Sequence, residues 1–208
     1  MRVAMKLHPV ILPLTTEEHR LRGRARLQAQ SRRAREALAR CCKASGVRLG
    51  PLEKGDRNIP LPFHGTFWSL SHKPRFVAAV VGPAPIGIDI EEITPRTEGL
   101  HDYIASKAEW ALADRSWETF FRFWTAKEAV LKAVGVGLAH LKKARIHAIL
   151  DTDNLIVDYA SRLWHVGHFR FRNYIVSLTH DGHAIDWNLV LEPHAPDNSV
   201  SVAPQPQA

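Results

Sequence analysis

The chain has 208 residues, is 45% hydrophobic and carries a formal charge of +7. That length suits one large domain or two small halves, each with its own core. No stretch approaches the run of about eighteen apolar residues that a membrane-spanning helix needs. The two cysteines, Cys41 and Cys42, are adjacent and too few for a disulfide framework or a CxxC metal site. The apolar centre of MRVAMKLHPVILPLTTEEH is too short and too proline-broken for a signal peptide, so the cytoplasm is the expected compartment.

Taken in chain order, the pattern Leu21, Ala25, Ala34, Ala37, Leu38 and Cys41 predicts a helix over residues 17–43 with a broken apolar stripe. Eight arginines lie between Arg20 and Arg40, with Glu36 the only acid among them. Such a patch suits an anionic partner (nucleic acid, a phosphorylated small molecule or an acidic protein) or is simply a solvated arginine face. Glycines and prolines make residues 47–62 mostly loop. FVAAVV, residues 76–81, is short, apolar and β-prone, and it ends at the turn-like Gly82-Pro83-Ala84-Pro85. A second strand is expected over residues 86–93, where Ile86, Ile88 and Ile90 alternate with Gly87, Asp89 and Glu91. The two strands read as a hairpin.

Residues 100–134 are helical in pattern, in two or three pieces. Strands return at about 145–150, 166–171, 174–179 and 185–191, and the polar, proline-containing end beyond Glu192 reads as a disordered tail over 193–208. RFVAAVVG at 75–82 resembles NYIVSLTH at 173–180, and a competing register pairs SLSH at 69–72 with SLTH at 177–180. These echoes suggest a two-fold repeat of an α+β unit, with halves at 1–95 and 96–192.

Three places hold residues suited to chemistry. Asp89 and Glu91 stand two apart in a strand, so both carboxylates leave one face; they read either as ligands of a divalent cation or as an acidic solvent face. In FWTAKEAVLKAVGVGL, Trp124, Glu128 and Lys132 share one helical stripe. That spacing fits a surface ion pair, yet the surrounding phenylalanines, Val130 and Leu131 are apolar almost all round, and buried charges need partners. In SLSHK, Ser71, His72 and Lys73 are all able to donate hydrogen bonds to phosphate. His165/His168 and His180/His183 have an HxxH spacing, but no Cys or further acid completes a zinc set.

The order SLSHK, GIDIEEI (87–93), SKAEW (106–110), FWTAKEAVLKAVGVGL resembles the Sfp-type 4′-phosphopantetheinyl transferases, in the subgroup that reads W-x-x-K-E-A. The match is detailed over residues 65–140. The resemblance implies two α+β halves related by a pseudo-two-fold, in a monomer, with coenzyme A bound between them. It implies Mg²⁺-dependent transfer of the phosphopantetheine arm of coenzyme A to a serine of an acidic acyl or peptidyl carrier protein, releasing adenosine 3′,5′-bisphosphate. By the same resemblance Asp89, Glu91 and Glu128 are the metal carboxylates, and Glu109 is the acid of the K-x-E motif. Lys132 contacts the phosphates, and the base for the carrier serine is either Glu128 or a metal-bound water. Ser71 and His72 contact coenzyme A, and Arg32, Arg33 and Arg57 are the basic residues proposed for its 3′-phosphate. Lys73-Pro74 departs from the small residue and glycine that usually follow Ser-His in the family.

Two other readings stand beside this one. A basic nucleic-acid-binding protein would account for the arginine run, but no helix-turn-helix, zinc-finger or RNP-like pattern is present, so no nucleic-acid or membrane partner is expected. A degenerate coenzyme A-binding or scaffold protein would keep the fold but lose the chemistry, and the intact acidic positions argue against it.

Overall fold

The structure, a computed structural model, describes residues 6–191, without the side chain of Arg57. The expected tail at 193–208 lies outside the described residues. In chain order the elements are β1 (Val10–Pro13), α1 (Thr16–Arg20), α2 (Gly23–Ala44), β2 (Phe67–His72), β3 (Phe76–Gly82), β4 (Ile88–Glu92), α3 (Leu100–Ile104), α4 (Lys107–Trp110), α5 (Trp117–Val134), β5 (Arg145–Ile149), β6 (Asn154–Tyr159), β7 (Arg162–Phe171), β8 (Tyr174–Thr179) and β9 (Asn188–Leu189). Short 3₁₀ turns occupy Asp56–Asn58 and Leu138–Lys143.

The strands form two sheets, ordered β2-β3-β1-β9 and β4-β8-β7-β6-β5, antiparallel except where β9 runs parallel to β1. The class is therefore mixed α+β. Each sheet is covered by one long helix. On the first, Ala34, Ala37, Leu38 and Cys41 of α2 pack against Leu12, Val77, Ala79 and Val81. On the second, Phe123, Ala126 and Val130 of α5 pack against Leu155, Val157, Val166 and Ile175. The remaining strand faces meet each other: Phe76, Ala78 and Val80 of β3 share a core with Ile88 and Ile90 of β4 and with Val176 and Leu178 of β8. β3 is thus covered on both faces, which explains a run of FVAAVV with no polar alternation.

Several sequence expectations need correction. The helix over 17–43 is two helices. Thr15 and Glu18 make a capping box at the start of α1, Leu21 and Arg22 are extended (ψ 153° and 163°), and Gly23 turns the chain at φ +51°, which glycine adopts without strain. The hairpin of residues 76–81 with 86–93 does not form. β3 pairs with β1 and β2, whereas β4 pairs with β8. Pro83 and Pro85 cannot donate to a ladder, and their loop carries the chain from one sheet to the other. The strand expected at 185–191 shrinks to β9, and β1, β2 and β6 are additional. The helical stretch 100–134 does fall into three pieces, α3, α4 and α5. The sheets also exchange strands across residue 95: β4 joins the second sheet, and β9 returns to the first.

Candidate active site at the seam of the two sheets

β4 is the outer strand of its sheet, and its outward N–H groups have no strand to receive them. Two serine hydroxyls on β2 do so: Ile88 N–H donates to Ser69 Oγ (3.1 Å) and Ile90 N–H to Ser71 Oγ (3.4 Å). Alternate residues on one strand meet alternate amides on the other, so the S-L-S and I-D-I spacings match. The serines are buried although polar because each stands in for a backbone acceptor.

Across the other face of β4 lies α5. A Cβ placed on Gly87 would sit 1.8 Å from Ala129 O and 2.8 Å from Ala133 N, so glycine is what lets the helix backbone rest on the strand. This close approach sets Glu128 and Lys132, which flank that contact, over the β4 carboxylates. Lys132 Nζ donates to Asp89 Oδ1 (2.7 Å) and to Ile88 O (3.1 Å). Ser71 Oγ–H donates to the same Asp89 oxygen at 2.8 Å. Lys73, from the turn between β2 and β3, reaches Glu91 Oε1 at 2.6 Å.

Asp89 and Glu91 are only 4% and 8% exposed. The burial of these groups together has an electrostatic consequence. Burial first, and then the Asp89 charge, push the Glu128 carboxyl up to about 7, against the pull of Lys132. The same two causes raise Glu91, opposed by Lys73. His72 has an exposed edge, but the cover of its neighbours and the ammoniums of Lys132, Lys73 and Lys54 hold it below the usual histidine range.

Asp89 Oδ2 and Glu128 Oε1 are buried oxygens with no hydrogen-bond partner. Among the described residues no group of three or more His, Cys, Asp or Glu side chains is arranged to hold a metal ion. In the present arrangement the lysines occupy the carboxylates instead. The donor set nevertheless suits a hard divalent cation: all oxygen, with two open acceptors facing low-dielectric surroundings. A cavity of about 330 Å³, lined by Lys54, Asn58, Ile59, Trp68, Lys132 and Gly135, adjoins this cluster. A larger cavity of about 730 Å³ opens beside α4, lined by Ser106, Glu109, Lys127 and Arg145 and by none of the Asp89 cluster.

The other residues singled out in the sequence lie elsewhere. Glu109 is the third helical residue of α4, in a capping box with Ser106. Its Oε1 accepts from Lys127 Nζ (2.6 Å) and Ile146 N–H (2.8 Å), and its Oε2 from the Ser106 amide and hydroxyl (both 2.8 Å). Burial opposes ionisation of Glu109, but Lys127 and the two amides outweigh it and hold the carboxyl below its ordinary value. None of these partners belongs to the Asp89 cluster. Ser71 is committed to Asp89 and Ile90. Arg32 pairs with Glu18 (2.7 Å), and Arg33 donates to Pro13 O (2.8 Å) and Glu36 (2.7 Å). The side chain of Arg57 lies outside the described residues. Sequence reasoning missed Ser69, Gly87 and Gln30. The matched S-L-S and I-D-I spacings are a signal for the first, whereas Gln30, which donates to Lys73 O (3.1 Å), leaves no local trace.

These features define an α+β protein whose two sheets meet at a buried acidic cluster flanked by lysines. Residues 85–179 match the family model described as the 4′-phosphopantetheinyl transferase superfamily. Among curated relatives, a 4′-phosphopantetheinyl transferase of Bacillus subtilis is 32% identical over 101 residues, covering 46% of this chain and 44% of that one. The 4′-phosphopantetheinyl transferase psf-1 of Bacillus pumilus is 37% identical over 89 residues, 40% of this chain and 36% of its own. HetI, a 4′-phosphopantetheinyl transferase of a Nostoc species, is 34% identical over 90 residues, 39% and 38% of the two chains. The matched stretch spans less than half the length of these relatives. The resemblance to the Sfp-type 4′-phosphopantetheinyl transferases is thus borne out over the segment from β4 to β8, which holds Asp89, Glu91, Glu128 and Lys132.

Proposed function

We propose that this protein transfers the 4′-phosphopantetheine arm of coenzyme A to a serine of an acidic acyl or peptidyl carrier protein. The observation that carries this reading is the acidic trio of buried Asp89 and Glu91 and half-buried Glu128, with Lys132 set against Asp89, inside the segment that matches the transferase family. The carrier serine gives up its proton, its Oγ bonds to the phosphorus next to the pantetheine, and the P–O bond to adenosine 3′,5′-bisphosphate breaks. Mg²⁺, for which Asp89, Glu91 and Glu128 are the candidate ligands, would neutralise charge on the pyrophosphate.

The chain's own residues divide the remaining work. Glu128 has an open oxygen and no ion-pair partner among the described residues, so it is the residue fitted to accept the serine proton. Lys132 brings a fixed positive charge to the leaving phosphate. Ser71 orients Asp89 by donating to one of its oxygens, leaving the other open. His72 and Lys54, beside Lys132, are the phosphate contacts nearest the cluster. For Arg32 and Arg33 to reach the 3′-phosphate they would have to leave Glu18 and Glu36, and Arg57 stays in the proposal on resemblance alone. Glu109 acts through Lys127, tying α4 and β5 to α5 and so fixing the helix that carries Glu128.

The reading includes α+β halves at 1–95 and 96–192, each lending a strand to the other's sheet, in a monomer working in the cytoplasm. In its support, α2 covers β3 and α5 covers β8, in each case an interior strand of its sheet. The test is intact mass spectrometry of an apo carrier protein incubated with coenzyme A and Mg²⁺. The carrier should gain one phosphopantetheine, and Asp89→Asn or Glu128→Gln should slow the gain by about 100-fold or more at unchanged melting temperature. Full transfer by either variant, or neither transfer nor coenzyme A binding by the natural protein, would overturn the assignment.

A further inference from the structure

Lys73 is set into the acidic cluster by a turn that the rest of the fold holds in place. Its N–H donates to Phe76 O (2.8 Å), while α2 clamps the turn from outside: Gln30 donates to Lys73 O and Arg26 to Pro74 O, both at 3.1 Å. With the backbone fixed, the side chain turns inward and its ammonium lies 2.6 Å from Glu91, whose side chain is 10% exposed. The cluster therefore contains three carboxylates and two ammoniums. The two oxygens left open and buried belong to Asp89 and Glu128; Glu91 is not among them.

We propose that Lys73 is a resident cation that takes Glu91 out of the metal-binding set. A divalent ion is then held by Asp89 and Glu128 alone, weakly in the free protein and tightly only together with the pyrophosphate of the substrate. The inference rests on the phosphopantetheinyl-transfer reading for its metal and its polyanion. The physical argument is one of charge. An ammonium fixed within a few ångströms of a second cation repels it, and partly buried surroundings screen that repulsion poorly. Pyrophosphate reverses the balance, because it meets Lys73, Lys132 and the metal at once. Each ligand then raises the affinity of the other by the same factor.

The probe is Mn²⁺, followed by the loss of its free-ion electron paramagnetic resonance signal, with and without coenzyme A. Without coenzyme A, Lys73→Met should bind Mn²⁺ on the order of tenfold more tightly than the natural protein, because the repulsion is gone and Glu91 is released. Lys73→Arg, which keeps the charge, should bind like the natural protein. The double variant Lys73→Met/Glu91→Gln removes a neutral pair, so with coenzyme A present its Mn²⁺ affinity should stay within about threefold of the natural value. Unchanged affinity in Lys73→Met, or a double variant that loses Mn²⁺ as Glu128→Gln does, would overturn the proposal while leaving the transfer reading standing. No Mn²⁺ binding by any form, even with coenzyme A, would overturn both.

Discussion

Gly87→Ala tests whether the seat of α5 on β4 builds the site. The added Cβ would lie 1.8 Å from Ala129 O, 2.8 Å from Ala133 N and 2.9 Å from Ala129 C. All three are backbone atoms of one helix, so no side-chain rotation relieves the contact. To bring the first distance to ordinary separation, α5 must retreat from β4 by more than about an ångström, a form of overpacking that typically costs about 1–3 kcal/mol. For a chain of this size that corresponds to a fall of roughly 2–12 °C in melting temperature. The retreat also lifts Lys132 from its 2.7 Å contact with Asp89 and moves Glu128 with it. Misplacing reacting groups by about 1 Å is able to cost on the order of 100-fold in rate. Differential scanning fluorimetry and mass-spectrometric transfer assays on the same preparation read both effects. A variant that melts and transfers like the natural protein would refute the claim that this glycine sets the helix–strand distance.

Two further outcomes follow from buried polar groups. Ser69→Ala takes away the acceptor of the Ile88 N–H, so stability should drop by about 1–3 kcal/mol, seen as a lower melting temperature; an unchanged melt would remove the serine from the seam. His168 is buried and donates or accepts at Nδ1 with Ser177 Oγ (2.8 Å), and burial first, then the charges of Arg122 and Arg170, hold its pKa well below 6.5. Because the unfolded chain takes up this proton below 6.5 and the folded chain does not, stability should fall as pH drops below 6.5, by about 1.4 kcal/mol per pH unit from this group. Urea unfolding at several pH values should show a shallower fall for His168→Gln, and identical slopes would sink the assignment.

How much of this was legible depended on where each residue's partner sits. The strand Ile88–Glu92 was readable because its isoleucines and carboxylates alternate, and α5 because its apolar residues recur on helical spacing around Glu128 and Lys132. β6 carried the same kind of signal in Leu155, Val157 and Tyr159, all buried, and was passed over among polar neighbours. β2 was hidden for a different reason. FWSLSH has polar residues on buried positions, and they are satisfied by amides and the Asp89 carboxylate of a strand nearly twenty residues on. The hairpin failed because nearness in sequence does not decide pairing. β4 finds its partner in β8, and nothing local to either strand records the choice.

The same distinction separates buried Glu109 from half-buried Glu128, both read in the sequence as candidates for chemistry. Glu109 accepts three hydrogen bonds, two from Ser106 and one from Ile146, and meets the Lys127 ammonium at 2.6 Å, so its lone pairs are spent and its charge is balanced. Such a group holds α4, α5 and β5 together, and removing one partner leaves the other as an uncompensated buried charge. Glu128 has no ion-pair partner at all among the described residues, keeps an open oxygen, and is held near 7 by burial and by Asp89. A carboxylate that is to take a proton or meet a cation must keep that kind of unspent capacity, and the fold maintains it at real energetic expense by closing the seam with Ser69, Ser71 and Gly87. On the proposed reading, the acid that takes the proton or meets the cation is the one the structure leaves unsatisfied.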